Sequence, residues 1–155
     1  MAITTDERDG VFLHLMSIFT QVPGTAVVSE DHGVVIMDTA DQFPTIVLLD
    51  MGDKVEEADF SFDGGHNRRA ATVGIAFIVK GTTTANARRD LAAFIRLTKR
   101  YLYDQILDSE LITYFEEVGM SHVAIRPSDS RILHQIVQCE IGYIEDIHQL
   151  LQETL

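Results

Sequence analysis

RAATVGIAFIVK (residues 69–80), followed after three residues by TANARRDLAAFIRLTKRYLYDQILD (residues 84–108), decides how this chain folds. In the first stretch Ala71, Val73, Ile75, Phe77 and Val79 share one side, and Ala70, Thr72, Gly74 and Ala76 share the other. That two-residue period is the pattern of a strand. The second stretch has the helical period instead: Ala87, Leu91, Phe94, Ile95, Thr98, Leu102 and Ile106 fall on one stripe at about 100° per residue. A strand that feeds a long amphipathic helix must lay that helix back on the sheet to bury the stripe. The small side chains of Ala70, Thr72, Gly74 and Ala76 make their side of the strand the expected seat for it.

Upstream, TIVLLDM (residues 45–51) reads as a well-buried strand, opened by Pro44 where a missing N–H costs little. Ala26–Ser29 and Val34–Met37 flank a Gly-bearing turn, the signature of a hairpin. Thr4 and Glu7 have capping-box spacing, so a helix is expected from near Thr5 through Phe12, Leu15, Phe19 and Val22, stopped by Pro23-Gly24. The acidic stretch Gly52–Asn67 has the composition of a mobile loop. Downstream, the expectations are a short helix at Glu110–Val118 ended by Gly119, a strand at Met120–Arg126, and a turn at Pro127–Ser130. A last strand, Ile132–Tyr143, points Leu133, Val137, Cys139, Ile141 and Tyr143 inward against His134, Gln138 and Glu140. An amphipathic tail follows at Glu145–Leu155. The fold class is α/β (α+β), one domain over residues 1–155. A single mixed, mostly antiparallel sheet is flanked by an N-terminal helix and one long central helix.

The composition is ordinary for a globular domain, with 46% apolar and 23% charged residues. Its net charge of −12 is not. Such a field disfavours adhesion to nucleic acid or to an anionic membrane, and the longest apolar runs are too short to span a bilayer. Thr4–Asp9 is acidic where a signal peptide is basic. The single cysteine, Cys139, fits a reducing compartment and reads as a core thiol.

No catalytic or metal motif appears. The six histidines (His14, His32, His66, His122, His134 and His148) lack ligand spacing. Gly64-Gly65 with Arg68-Arg69 lacks both the Walker and the dinucleotide patterns. The pairs Glu56-Glu57 and Glu116-Glu117 lack the oxygen pattern of a calcium loop and read as solvated charge. The expectation is a protein that is not an enzyme and holds no metal or cofactor.

Charge is the remaining signal. Residues 68–100 hold eight of the twelve basic residues. On the helix, Arg88, Arg89, Arg96, Lys99 and Arg100 occupy an arc of about 120° beside the apolar stripe. A solvated helix face is the plain reading of such an arc; complementary contact between subunits is the alternative that the segregation of sign suggests.

Taken in order, these segments resemble the tail terminator (tail completion) proteins of tailed bacteriophages, the lambda-type minor tail family. Three segments carry the likeness: Phe43–Leu49 with the acidic Asp53–Glu57 after it, Arg69–Lys80 followed by Thr84–Ile106, and Arg131–Tyr143. The resemblance implies a protomer of a hexameric ring at the head-proximal end of the virion tail, assembled in the host cytoplasm. Such a ring caps the tail tube protein, stops its polymerisation and presents a surface to the head–tail connector or neck protein. It needs no covalent chemistry, no cofactor and no membrane, and DNA passes through it without specific binding. On that reading the contact residues are Glu56, Glu57, Phe60 and Phe62 with Arg68 and Arg69 in the Gly52–Arg69 loop, and Arg88, Arg89, Arg96, Lys99 and Arg100 on the helix. The Gly52–Asn67 segment would be mobile in the free protein and ordered on assembly. Two other readings stay open: another head–tail connector or neck protein, and a cytosolic small-molecule-binding α/β domain or enzyme using His66 and its loop.

Overall fold

The computed structural model describes residues 6–31, 40–59 and 65–146, without the side chains at 27, 31 and 57–59. The chain runs α1 (Glu7–Thr20), β1 (Val27–Asp31), β2 (Thr45–Asp59), β3 (His66–Lys80), α2 (Thr84–Gln105), a 3₁₀ turn (Ile106–Asp108), β4 (Ile112–Met120), β5 (Ala124–Arg126) and β6 (Asp129–Asp146). The strands form one sheet in the order β1-β2-β3-β6-β4, with β5 also beside β6. Only β1–β2 is parallel; the other described pairs are antiparallel. The expected mixed, mostly antiparallel sheet with two helices is therefore the fold of this chain.

Helix α2 follows its sequence signal closely. Thr83 caps it by accepting a hydrogen bond from the Asn86 N–H at 3.1 Å. Ala87, Leu91, Phe94, Ile95, Thr98 and Leu102 are its buried residues, and Ile106 continues the stripe into the 3₁₀ turn. The seat is the reverse of the expected one. α2 shares a core with Ala71, Val73, Ile75, Phe77 and Val79, the larger side chains of β3, and Phe94 meets Phe77 edge to face at 5.7 Å. Large side chains interdigitating across helix and strand bury more apolar area, at about 25 cal/mol per Å², than a row of alanines would. The small face instead packs behind the sheet. There Val47, Ala76, Ile78 and Ile132 form a second, smaller core with Ala40 and Phe43 against it, and Met51, Leu49 and Ile136 crowd Gly74.

Helix α1 is capped by Asp6, whose carboxylate accepts from the Asp9 N–H at 2.7 Å; Thr4 and Thr5 lie outside the described residues. Val11, Phe12, Leu15, Ile18 and Phe19 enter the same core as α2. His14 joins the helices through a 3.0 Å contact between its Nε2 and the Gln105 carbonyl oxygen.

Strand β1 pairs with β2 in parallel, Val27 opposite Thr45 through Asp31 opposite Leu49. The other arm of the expected hairpin, Val34–Met37, lies outside the described residues. Gly52–Asn67 is not a loop over most of its length: β2 continues to Asp59 and β3 begins at His66, and only its tip falls outside the described residues. A bulge at Asp50–Asp53, with Gly52 at φ +110°, keeps the two strands in register through this change of direction. Glu110–Val118 is not a helix either. Ile112–Met120 is β4, at the edge of the sheet, with register shifts at Ile112/Tyr114 and at Glu117/Gly119. β-branched and aromatic residues at 112–115 suit a strand, and pairing with β6 settles the local ambiguity. The strand expected over Met120–Arg126 shrinks to β5. β6 is longer than expected, yet its inward set, Leu133, Val137, Cys139, Ile141 and Tyr143, is buried as the alternation requires. Residues 147–155, most of the expected tail, lie outside the described residues.

A candidate protein interface on the outer face of the long helix

The twelve Lys and Arg residues divide into two groups. Arg8, Lys54, Arg69, Lys80, Lys99 and Arg131 make ion pairs within the chain. Arg68 and Arg126 are also engaged. Arg88, Arg89, Arg96 and Arg100 are exposed, and among the described residues their side chains have neither an ion pair nor a hydrogen bond. All four come from one face of α2.

The expected contact residues are thus separated by the fold. Lys99 leaves the set: its Nζ is 3.0 Å from Glu117 Oε1, across the seam between α2 and β4. Arg69 is structural. Its Nε donates to Asp53 Oδ1 at 2.7 Å, and its Nη1 is 3.6 Å from Glu145. The same Asp53 carboxylate accepts from Arg8 Nε at 3.2 Å and from the Tyr143 hydroxyl, while Arg8 also pairs with Asp50. The bulge at Gly52 turns Asp50 and Asp53 toward α1, so this cluster pins the base of the β2–β3 hairpin to the first helix. Burial and the Asp53 carboxylate both push the Tyr143 phenol up, which keeps it a hydrogen-bond donor.

Glu56 belongs to a second polar group, on the sheet face away from the helices. The Tyr114 hydroxyl lies 2.5 Å from Glu56 Oε1 and 3.2 Å from Glu140 Oε1, and Lys54 Nζ is 2.9 Å from Glu140. The Lys54 ammonium holds the Glu140 carboxyl below its ordinary range. The Tyr114 ring lies against Gly142, where a Cβ would come within 2.2 Å of it. Glu57 takes its place in β2 opposite Arg68; Phe60 and Phe62 lie outside the described residues.

Sequence reasoning missed the apolar part of the surface. Tyr103 is 55% exposed and Leu107 63%. Tyr103 falls within the arginine arc by helical projection, a signal that was available in the spacing. Its ring packs edge to face on Phe115 at 5.6 Å, and its hydroxyl donates to Glu117 at 3.3 Å, so it is held upright while remaining accessible. An open depression of about 650 Å³ is lined by Leu97, Arg100, Tyr101, Tyr103 and Asp104. Arginine and tyrosine presented together on a fixed helix are the residue types that dominate protein–protein binding energy.

The described residues contain no group of three or more His, Cys, Asp or Glu side chains placed to hold a metal ion. Cys139 is buried, and burial pushes its thiol up to about 12. His66 stands in β3 opposite Asp146 and Asp59 in the strand ladder. No helix is long and apolar enough to cross a membrane, among the described residues.

No family model matches the chain, and no curated protein does. Among solved structures, a chain from the virion of a native gene transfer agent particle is similar over 86% of this chain and 91% of that chain, with 10% sequence identity and a TM-score of 0.33.

Proposed function

We propose that this chain is a virion structural protein of a tailed phage, a tail terminator whose copies form a hexameric ring on the end of the tail tube. In that role it halts tube polymerisation and offers the neck a surface to join, without covalent chemistry. The observation that carries the reading is the set of four arginines that lack an acidic partner among the described residues, with exposed Tyr103, on a single helix of a chain with net charge −12. An acidic protein whose described residues leave four cations unneutralised on one face, while engaging the other eight, is arranged to meet an acidic protein surface. The helix-on-sheet order expected of the family supports the reading as well. The acidic remainder suits a conduit for DNA, since like charge denies the phosphate contacts that would arrest it.

Negative-stain imaging of the purified protein, alone and mixed with tail tubes, tests the proposal. A six-fold ring, or a cap at one tube end that blocks further growth, is the expected result. A protein that stays monomeric and leaves tubes uncapped would sink it.

A further inference from the structure

The arginine face has its complement on the same chain. At the end of α2 and just past it the sign reverses: Asp104 in the helix, Asp108 in the 3₁₀ turn and Glu110 after it are exposed, and among the described residues their side chains too make neither an ion pair nor a hydrogen bond. Exposed Leu107 sits among them. The four arginines extend over about 18 Å of helix, twelve residues at 1.5 Å each, and the acidic stretch continues from their end. The depression lined by Arg100, Tyr103 and Asp104 marks the junction.

This order of charges does not serve the helix itself. A helix gains from acids in its first turn and bases in its last, and α2 has no acid in the first turn and no base in the last. Asp104 stands in the last turn, facing the negative end of the dipole. Charges set against their own helix, solvent-exposed and without a partner among the described residues, need another reason to be where they are.

We propose that the occupant of the arginine face is a second copy of this chain, docked through the acidic stretch that begins in the last turn of its own α2 and runs just beyond it. This inference rests on the assembly reading above and names the contact within it. Arg89, Arg96 and Arg100 of one protomer face Asp104, Asp108 and Glu110 of the next, with Tyr103 and Leu107 supplying the apolar centre. Two copies with net charge −12 repel in most orientations; a contact that opposes these two patches offsets that repulsion, and it fixes the register as well as the partner.

A charge-swap experiment tests it. One triple variant carries Arg89→Glu, Arg96→Glu and Arg100→Glu; the other carries Asp104→Arg, Asp108→Arg and Glu110→Arg. Circular dichroism and the thermal midpoint verify that both are folded, which is expected because all six positions are exposed. Sedimentation velocity at low salt then reads association. The wild-type chain is expected to self-associate, with weakening as salt rises. Each variant alone is expected to associate at least tenfold more weakly, and their equimolar mixture to recover wild-type association. An acidic-end variant that associates like the wild type overturns the pairing, as does a mixture that stays apart or a wild-type chain that is monomeric throughout. The two readings fail separately. If the arginine variant cannot cap tail tubes while the acidic-end variant still self-associates, the terminator reading stands and this contact falls. If the charge swap rescues association but no form touches tail tubes, the contact stands and the terminator reading falls.

Discussion

The β2–β3 hairpin is one continuous pair of strands built under two different regimes. Its first half, Thr45–Leu48 with Val73–Val79, lies beneath both helices and is buried along its length. Its second half, Met51–Glu56 with His66–Arg69, runs out from under them: Met51 and Val55 are each 49% exposed, and no residue there belongs to either core. Hydrophobic burial holds the covered half. The outer half is held by backbone pairing to β3 and β6 and by the Asp53 cluster at its base. Strand pairing without a core is weak on its own, which makes the polar clasp at Asp53 the joint between the two regimes.

Substitutions along the hairpin should report that boundary. Phe77→Ala, in the covered half, should cost about 3–5 kcal/mol, since it removes a ring packed on Phe94 and leaves a cavity; urea unfolding measures it. A cost under about 1 kcal/mol would mean the two halves are not so different. Gly81→Ala, where β3 hands over to α2, should cost about 1–3 kcal/mol, because the added Cβ would lie 2.5 Å from the Ala87 backbone nitrogen. A thermal midpoint equal to that of the wild type would show that the helix is free to shift away from the strand. Asp53→Asn leaves Arg8 and Arg69 without their shared anion and should cost about 2 kcal/mol. That is less than a fully buried pair loses, because both arginines are about a quarter exposed. Hydrogen exchange should show the loss concentrated in residues 53–59 and 66–71; uniform loss across the sheet would refute the clasp.

Alkaline pH probes the core over the covered half from the neighbouring strand, through Cys139 of β6, which pairs with Val73. Burial keeps the Cys139 thiol protonated up to about 12, whereas in the unfolded chain it ionises near 8.5. Its folded-state contribution is therefore complete below about 8.5 and is lost as pH rises toward 12. At pH 9.5 the loss is about 1.4 kcal/mol, seen as a difference between the wild type and Cys139→Ala in urea titrations at pH 7.5 and 9.5. Identical pH dependence in the two proteins would contradict it. The smallest effect belongs to the outer half: Val55→Thr should change stability by less than about 0.5 kcal/mol. A cost comparable to that of Phe77→Ala would erase the distinction altogether.

The same boundary explains what could be read from sequence. Alternation and helical period are records of burial, so they are sharp where a helix covers a strand: Val73, Ile75, Phe77 and Val79 on one side, Leu91, Phe94, Ile95 and Leu102 on the other. Past Met51 no core imposes alternation, and DKVEEAD reads as loop although its backbone is paired. Glu110–Val118 misled for a related reason. At the sheet edge half of β4 faces solvent, and only its distant partner β6 fixes it as a strand. The seat of α2 is not legible in β3 alone: small residues offer room for a helix, but the larger face offers more area to bury. The arginine arc was visible as a projection; sorting it was not. That Lys99 is spent on Glu117 and Arg69 on Asp53 depends on partners 18 and 16 residues away, which no local pattern reveals.

The two register shifts in β4 have a consequence for how copies of this chain can add to one another. A straight edge strand is a template, and any passing strand can extend it without limit. Here the bulges at Ile112/Tyr114 and Glu117/Gly119, with carboxylates at 116 and 117 between them, interrupt the row of free N–H and C=O groups that templating requires. Backbone-to-backbone growth at this border is blunted, so a copy that meets this edge does so through side chains, in a geometry that specific residues define. For a chain proposed to bring a polymer to a stop, an edge that refuses to seed another is a fitting border.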